Sequence, residues 1–191
     1  MMGNDRGDNS DPKQVVLLKR RSMSDRARCA FFAAAAAAAP LVSVGDFAEA
    51  ASFRQGISAF NRQEYLLAAQ NFFPLAERGD PAAQSYLGFM FETGRGVPQN
   101  YTEAAMWYRR SAEQGDSLAQ YSLGLLYDKG QGVPKDIVEA NKWLNLSTAA
   151  SPRRAREARA RLRDAVTTKM TRGEIARARL RALEWVPTRE R

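Results

Sequence analysis

The chain has 191 residues, with 29 Lys and Arg against 21 Asp and Glu, no His and one Cys; 45% of its residues are apolar. This composition suits one modest soluble domain, and the missing His excludes Ser-His-Asp and Cys-His catalysis and, with so little Cys, the usual zinc sites. The net charge of +8 is uneven: +1 over residues 1–50, −1 over 51–150 and +8 over 151–191, so the basic character belongs to the tail.

Residues 1–50 read as an N-terminal extension with a cleavable export signal. Lys19, Arg20, Arg21, Arg26 and Arg28 precede the apolar run from Cys29 to Val44, and the small-x-small triplet Ala48-Glu49-Ala50 follows it; a basic segment, an apolar segment and a cleavage site in that order form a secretory signal. The run is Ala-rich, broken by Pro40, and shorter than the roughly 20 apolar residues of a spanning helix. The expectation is therefore an exported, periplasmic or secreted protein cleaved near Ala50. Counted from Met1 the signal is 50 residues long, and from Met23 it has the ordinary length of 28, so either start is open. Cys29 precedes the apolar run, which argues against a lipoprotein. The mature chain would hold no Cys, leaving its core alone to hold it together.

Residues 51–151 carry an internal repeat, the most informative feature of the chain. GRGVPQN (Gly94 to Asn100) and GQGVPKD (Gly130 to Asp136) lie 36 residues apart, and their surroundings keep that offset. Ala83, Gln84, Leu87, Gly88 and Phe91 answer to Ala119, Gln120, Leu123, Gly124 and Tyr127; Ala104 and Trp107 answer to Ala140 and Trp143. Tyr65, Ala68, Ala69, Ala76, Gly79 and Asp80 extend the match backwards. The reading is one divergent unit, 53–80, followed by regular units 81–116 and 117–151.

Each unit predicts two helices. Ala83, Leu87, Met90 and Phe91 share one face at helical spacing, with Asp80 as N-cap and Pro81 at the first helical position. The second helix opens on a capping box, Asn100-x-x-Glu103, repeated as Asp136-x-x-Glu139. Between the helices, two glycines one residue apart invite a phosphate-cradle reading. Neither copy has the Lys-Ser/Thr pair, the third glycine or the preceding strand that such a cradle needs. A helix precedes them instead, so Gly94 and Gly130 are read as left-handed C-caps and Val-Pro as the stop.

The pattern A-x-x-x-L-G-x-x-[FY]-x-x-G-x-G-V-P followed by A-x-x-W resembles the Sel-one-like repeat, a relative of the tetratricopeptide repeat. The resemblance is specific over Pro81 to Ser151 and weaker over Phe53 to Asp80, and the segment Lys169 to Pro187 is similar to the closing segment of exported bacterial proteins of this type. It implies an all-α fold, an α-solenoid of antiparallel helix pairs with a C-terminal capping helix, which binds other macromolecules and has no catalytic residue or cofactor. Many members carry disulfides between paired helices. This chain lacks the cysteines, so activities tied to cysteine-rich members do not carry over.

Residues 152–191 are expected to form basic capping helices. Ala155, Ala158, Leu162, Ala165 and Val166 make an apolar stripe on the first, and Thr171-x-x-Glu174 is a capping box that opens the second, whose inward face is Ile175, Ala178, Ala182, Leu183 and Val186. A repeat stack needs such an end cover. The arginines Arg153, Arg154, Arg156, Arg159 and Arg163 are either its solvated face or a contact for an acidic glycan or anionic lipid. An exported chain without aromatics among those arginines argues against nucleic acid.

The carboxylates Glu92, Asp128, Asp136 and Glu139 offer no evident catalytic pair, so no enzyme is expected. The candidate partner surface is the first helix of each pair: Gln84, Ser85, Phe89 and Glu92 in one unit, Gln120, Tyr121, Leu125 and Asp128 in the next. Phe89 and Leu125 are apolar where solvent is expected, which fits a protein contact or packing against an adjacent helix. The functional expectation is a non-catalytic exported scaffold or adaptor that binds a protein in the bacterial envelope or its signalling. The alternative is an envelope-associated module that holds acidic glycan or anionic lipid through the Arg-rich helix.

Overall fold

The computed structural model describes residues 44–190, with side chains from residue 52 onward. The predicted basic segment, both candidate starts and the apolar run through Ser43 lie outside the described residues. Among those described, eight helices and no strands are present: α1 (Val44–Asn61), α2 (Tyr65–Glu77), α3 (Pro81–Thr93), α4 (Tyr101–Glu113), α5 (Ser117–Lys129), α6 (Ile137–Ala150), α7 (Arg153–Thr167) and α8 (Arg172–Glu184). Consecutive helices pack on one another from α1 to α7, and α8 packs on α6.

Glycine sets the closeness of each regular pair. A Cβ on Gly88 would stand 2.5 Å from the Tyr108 ring, and one on Gly124 would stand 2.9 Å from Leu144 Cγ and 3.1 Å from the Ala140 carbonyl oxygen. The bare backbone of α3 thus receives a large side chain of α4, and α5 receives one of α6, as close packing requires. Within each pair the two helices are also stitched by a repeated polar contact. Ser111 Oγ donates to the Pro81 carbonyl at 2.7 Å and Ser147 Oγ donates to that of Ser117 at 2.6 Å.

The glycine loops turn the chain as expected and do something further. Gly94 and Gly130 are left-handed C-caps with φ of 70° and 71°. The second glycine of each loop, Gly96 or Gly132, also has positive φ and lies against the start of the preceding second helix. A Cβ there would be 2.4 Å from the Tyr65 carbonyl oxygen in one copy and 2.0 Å from that of Tyr101 in the other. The loop is therefore a joint between units.

Asp80 and Asp116 accept the amide hydrogens of Ala83 and Ala119, each at 2.7 Å. The two expected inner capping boxes are only half formed. Asn100 and Asp136 accept from the helix amides, but their own N–H groups donate to the carbonyls of Phe91 and Tyr127, so neither cap amide is left for Glu103 or Glu139. The reciprocal box is complete at Thr171 and Glu174.

The backbone period outlasts the readable sequence repeat. Helices α3, α5 and α7 begin at Pro81, Ser117 and Arg153, a constant spacing of 36. Helix α7 therefore stacks as the first helix of another unit, yet it carries Ala160 where α3 and α5 carry Gly88 and Gly124. No second helix pairs with it as α4 pairs with α3; α8 lies on α6 instead. The cap is a parted pair. Of the predicted inward face of α8, Ala178 is buried while Leu183 and Val186 are exposed, and of the stripe on α7 only Val166 is fully buried.

Candidate functional site: a groove across the first helices

A groove of about 280 Å³ crosses the first helices and is lined by Phe60 of α1, Ala82, Ser85, Tyr86 and Phe89 of α3, and Asp116 and Leu118 at the start of α5. Its aromatic wall is braced edge to face: Phe60 meets Tyr86 at 5.2 Å and Phe89 at 5.8 Å between ring centroids. Tyr86 in turn stacks on the buried Phe72 at 4.9 Å. The lining is thus a fixed apolar surface. Leu118 is 51% exposed at its edge. Beneath it the Ser85 hydroxyl is buried without a hydrogen-bond partner. Arg95 lies over the rings of Tyr65 and Phe89 at 5.3 and 5.4 Å.

Of the eight residues expected on the partner surface, Ser85 and Phe89 line this groove. The others are placed differently. Gln84 and Gln120 are 0% and 1% exposed, because each amide nitrogen donates to a carbonyl of the preceding helix, Ala76 or Ala112. They are inter-unit ties, not groove residues. Glu92 accepts the Tyr108 hydroxyl at 2.7 Å. Tyr121 lies beneath the Arg159 guanidinium at 5.5 Å, and Asp128 pairs with Lys169 at 3.0 Å, so the C-terminal cap engages the second unit's equivalents. Leu125 is partly buried. The sequence reading missed Phe60, Tyr86 and Leu118. Phe60 belongs to the divergent unit and carries no repeat signal, whereas Tyr86 neighbours Ser85 and carries the aromatic character that the argument from Phe89 used.

Tyr108 shows how a polar residue serves the core. Burial pushes its phenol well above the ordinary value, and the Glu92 carboxylate adds to the shift. The folded state therefore holds the proton that the unfolded chain releases near pH 10. The resulting stabilisation is fully present below about pH 10 and is lost as the pH rises beyond it. Ultraviolet titration is expected to leave Tyr108 protonated at pH 11 while the protein remains folded, and Tyr108→Phe is expected to flatten the alkaline loss of stability.

The arginine set divides in two. Arg159 stands 36 residues after Leu123, in register with the core leucines Leu87 and Leu123, and donates to the Ser117 carbonyl and to the hydroxyls of Ser147 and Ser151 at 2.8, 3.0 and 2.6 Å. Burial pushes its guanidinium down from the ordinary value. Arg156 donates to the Ser151 carbonyl and Arg163 pairs with Asp164. Arg159 is thus tied to α5 and α6, whereas Arg156 and Arg163 make only local contacts. Arg153 and Arg154 are exposed. Among the described residues no helix is long and apolar enough to cross a membrane.

The Sel1 repeat family model matches residues 81–116 and 117–151. No curated protein matches the chain, but solved structures do. One is a protective antigen present in uropathogenic Escherichia coli strains displaying an SLR fold, 29% identical over 74% of this chain and 30% of that one, with a TM-score of 0.67. Another is a Sel1 repeat protein from Oxalobacter formigenes, 34% identical over 59% of this chain and 87% of that one, with a TM-score of 0.52. The chain thus spans only 30% of the length of the antigen. Sel1 repeat proteins are typically protein–protein interaction scaffolds. The shared helix-pair architecture, the repeated glycine joint and these matches together place the chain in the Sel1 repeat family.

Proposed function

We propose that the protein is a non-catalytic, exported adaptor that binds a partner protein in the groove across α1, α3 and α5, acting in the bacterial envelope or its signalling. The observation that carries this reading is the groove itself: a braced apolar wall of Phe60, Tyr86 and Phe89 with an exposed Leu118 at its edge. Aromatic anchors in a preformed concavity supply most of the energy of a protein contact. Export is supported by the basic and apolar segments of residues 19–44. Processing near Ala50 would leave α1 its portion from residue 51 onward, which includes Phe60.

Leu118→Arg places a charge at the groove edge without touching the core. The expected result is an unchanged circular dichroism spectrum and melting temperature with partner recovery reduced at least tenfold. Undiminished recovery would refute the groove. A second reading, that α7 holds an acidic glycan or anionic lipid, rests on the exposed Arg153 and Arg154. Exposed charges are screened by salt, so binding through α7 would weaken steeply between low and physiological ionic strength, and binding through the groove would not.

A further inference from the structure

The chain does not stop at the end of α8. Beyond Glu184 the backbone is extended and returns along the loops that join the units. The Trp185 ring meets Trp143 edge-on at 6.3 Å, and the Thr188 N–H donates to the Glu113 carbonyl at 2.8 Å. The Glu190 carboxylate then enters a polar cradle. Arg110 donates to it from Nε at 2.9 Å and from Nη2 at 2.6 Å, and Gln84 Nε2 donates at 2.8 Å.

The cradle is a built one. Gln84 is wholly buried, and its Oε1 accepts from Gln114 Nε2 at 2.9 Å, which also donates to the Gly79 carbonyl at 2.8 Å. The Arg110 guanidinium lies over the Trp107 ring at 4.8 Å. A two-pronged arginine held against an aromatic face is well suited to a carboxylate. The repeat itself does not produce this arrangement. In the next unit Leu146 and Ala150 stand where Arg110 and Gln114 stand, and the Oε1 of Gln120 is left without a partner. One unit alone has the chemistry.

The tail is held lightly for a segment that fills a dedicated site. Val186, Pro187, Thr188 and Arg189 are all exposed, and the ion pair between Arg110 and Glu190 is only partly sheltered from water. We propose that the cradle of Gln84, Arg110 and the Glu113 carbonyl is a second peptide-recognition site. It takes an extended partner segment with a carboxylate two residues after the N–H that meets Glu113, and the chain's own tail occupies it until that segment displaces it. The cradle includes none of the groove residues and does not rest on the groove reading. A tethered tail acts at a local concentration of roughly millimolar. A free peptide with the same contacts therefore competes poorly with it, and the natural partner must add contacts of its own.

The test uses the full chain with Glu190→Lys, which repels the tail from Arg110 and leaves the cradle intact, and the peptide acetyl-WVPTRE-amide as probe. The expected result by calorimetry is binding at least tenfold tighter than to the unaltered protein. It should fall at least tenfold when the peptide ends in Gln instead of Glu, and again when Arg110→Gln is added to the protein. The Gln peptide changes nothing in the protein, so that comparison stands whether or not the Arg110 variant folds. Equal uptake of the Glu and Gln peptides by the Glu190→Lys protein, or uptake of neither, would overturn the proposal. Loss of partner recovery in Leu118→Arg with the peptide result intact would leave both sites standing as separate ones.

Discussion

Gly132→Ala is expected to lower the stability of the protein by roughly 3 kcal/mol, the sum of an overpacked joint and a left-handed backbone that alanine resists. The methyl would meet the Tyr101 carbonyl oxygen at 2.0 Å and its carbon at 2.2 Å. Both are backbone atoms at the start of α4, so no side-chain rotation relieves the clash. The loop must move away from α4, and because it joins α5 to α6 the displacement parts two units at once. Gly96→Ala repeats the experiment one unit earlier, against Tyr65 at 2.4 Å. The control is Gly173→Ala in the first turn of α8, where nothing lies within 4 Å of the added methyl. That substitution should stabilise by about 0.4–1 kcal/mol through the unfolded chain. Urea denaturation of the three variants checks the ordering. A Gly132→Ala protein within about 0.5 kcal/mol of the parent would mean that the second glycine of the loop is not a joint.

Trp143→Ala is expected to cost about 3–5 kcal/mol, the range for removing a buried large aromatic. The indole is 4% exposed and packs with Ala104, Tyr108 and Leu123 in the middle core cluster, while its outer edge receives Trp185. It therefore joins the last regular unit to the C-terminal cover. Beyond the cavity, the substitution removes the surface on which the return of the chain after α8 is seated. Trypsin should cut at Arg177 and Arg179 of α8 sooner than in the parent, before the rest of the chain unfolds. Trp185→Ala removes the outer ring alone and should reproduce the faster cleavage with a smaller loss of stability. A Trp143→Ala protein that melts early but shows no early cleavage within α8 would sever the cover from this ring.

Residues whose roles are local were legible in the sequence. The N-caps Asp80 and Asp116, the C-cap glycines and the second-helix starts at Asn100 and Asp136 each act within a few positions, and the 36-residue offset makes every one of them appear twice. Residues whose partners lie in another unit were not. Gln84 and Gln120 fall off the apolar stripe and look solvent-facing, yet each is buried by a hydrogen bond to a carbonyl eight residues back in the preceding helix. Glu139 looks like the closing half of a capping box but pairs with Lys142 and Arg181, because the amide it would accept is already taken by Tyr127. Arg159 reads as one arginine among many, and only its register with Leu87 and Leu123 marks it as a residue that enters the core region. The sequence repeat fades at Ser151 because side chains change there, whereas the helix period continues because packing on α5 and α6 still demands it. The tail's return to Arg110 joins residues 80 positions apart and has no local signal at all.

The groove across the first helices is the centre of the functional account. A photo-crosslinking amino acid placed at position 118 in the producing cell, compared with one at position 153 on α7, tests it most directly. The account predicts a discrete protein adduct from position 118 that disappears when Phe89→Ala is added, with none from position 153. An adduct from position 153 alone, or one from position 118 that survives the loss of Phe89, would contradict it.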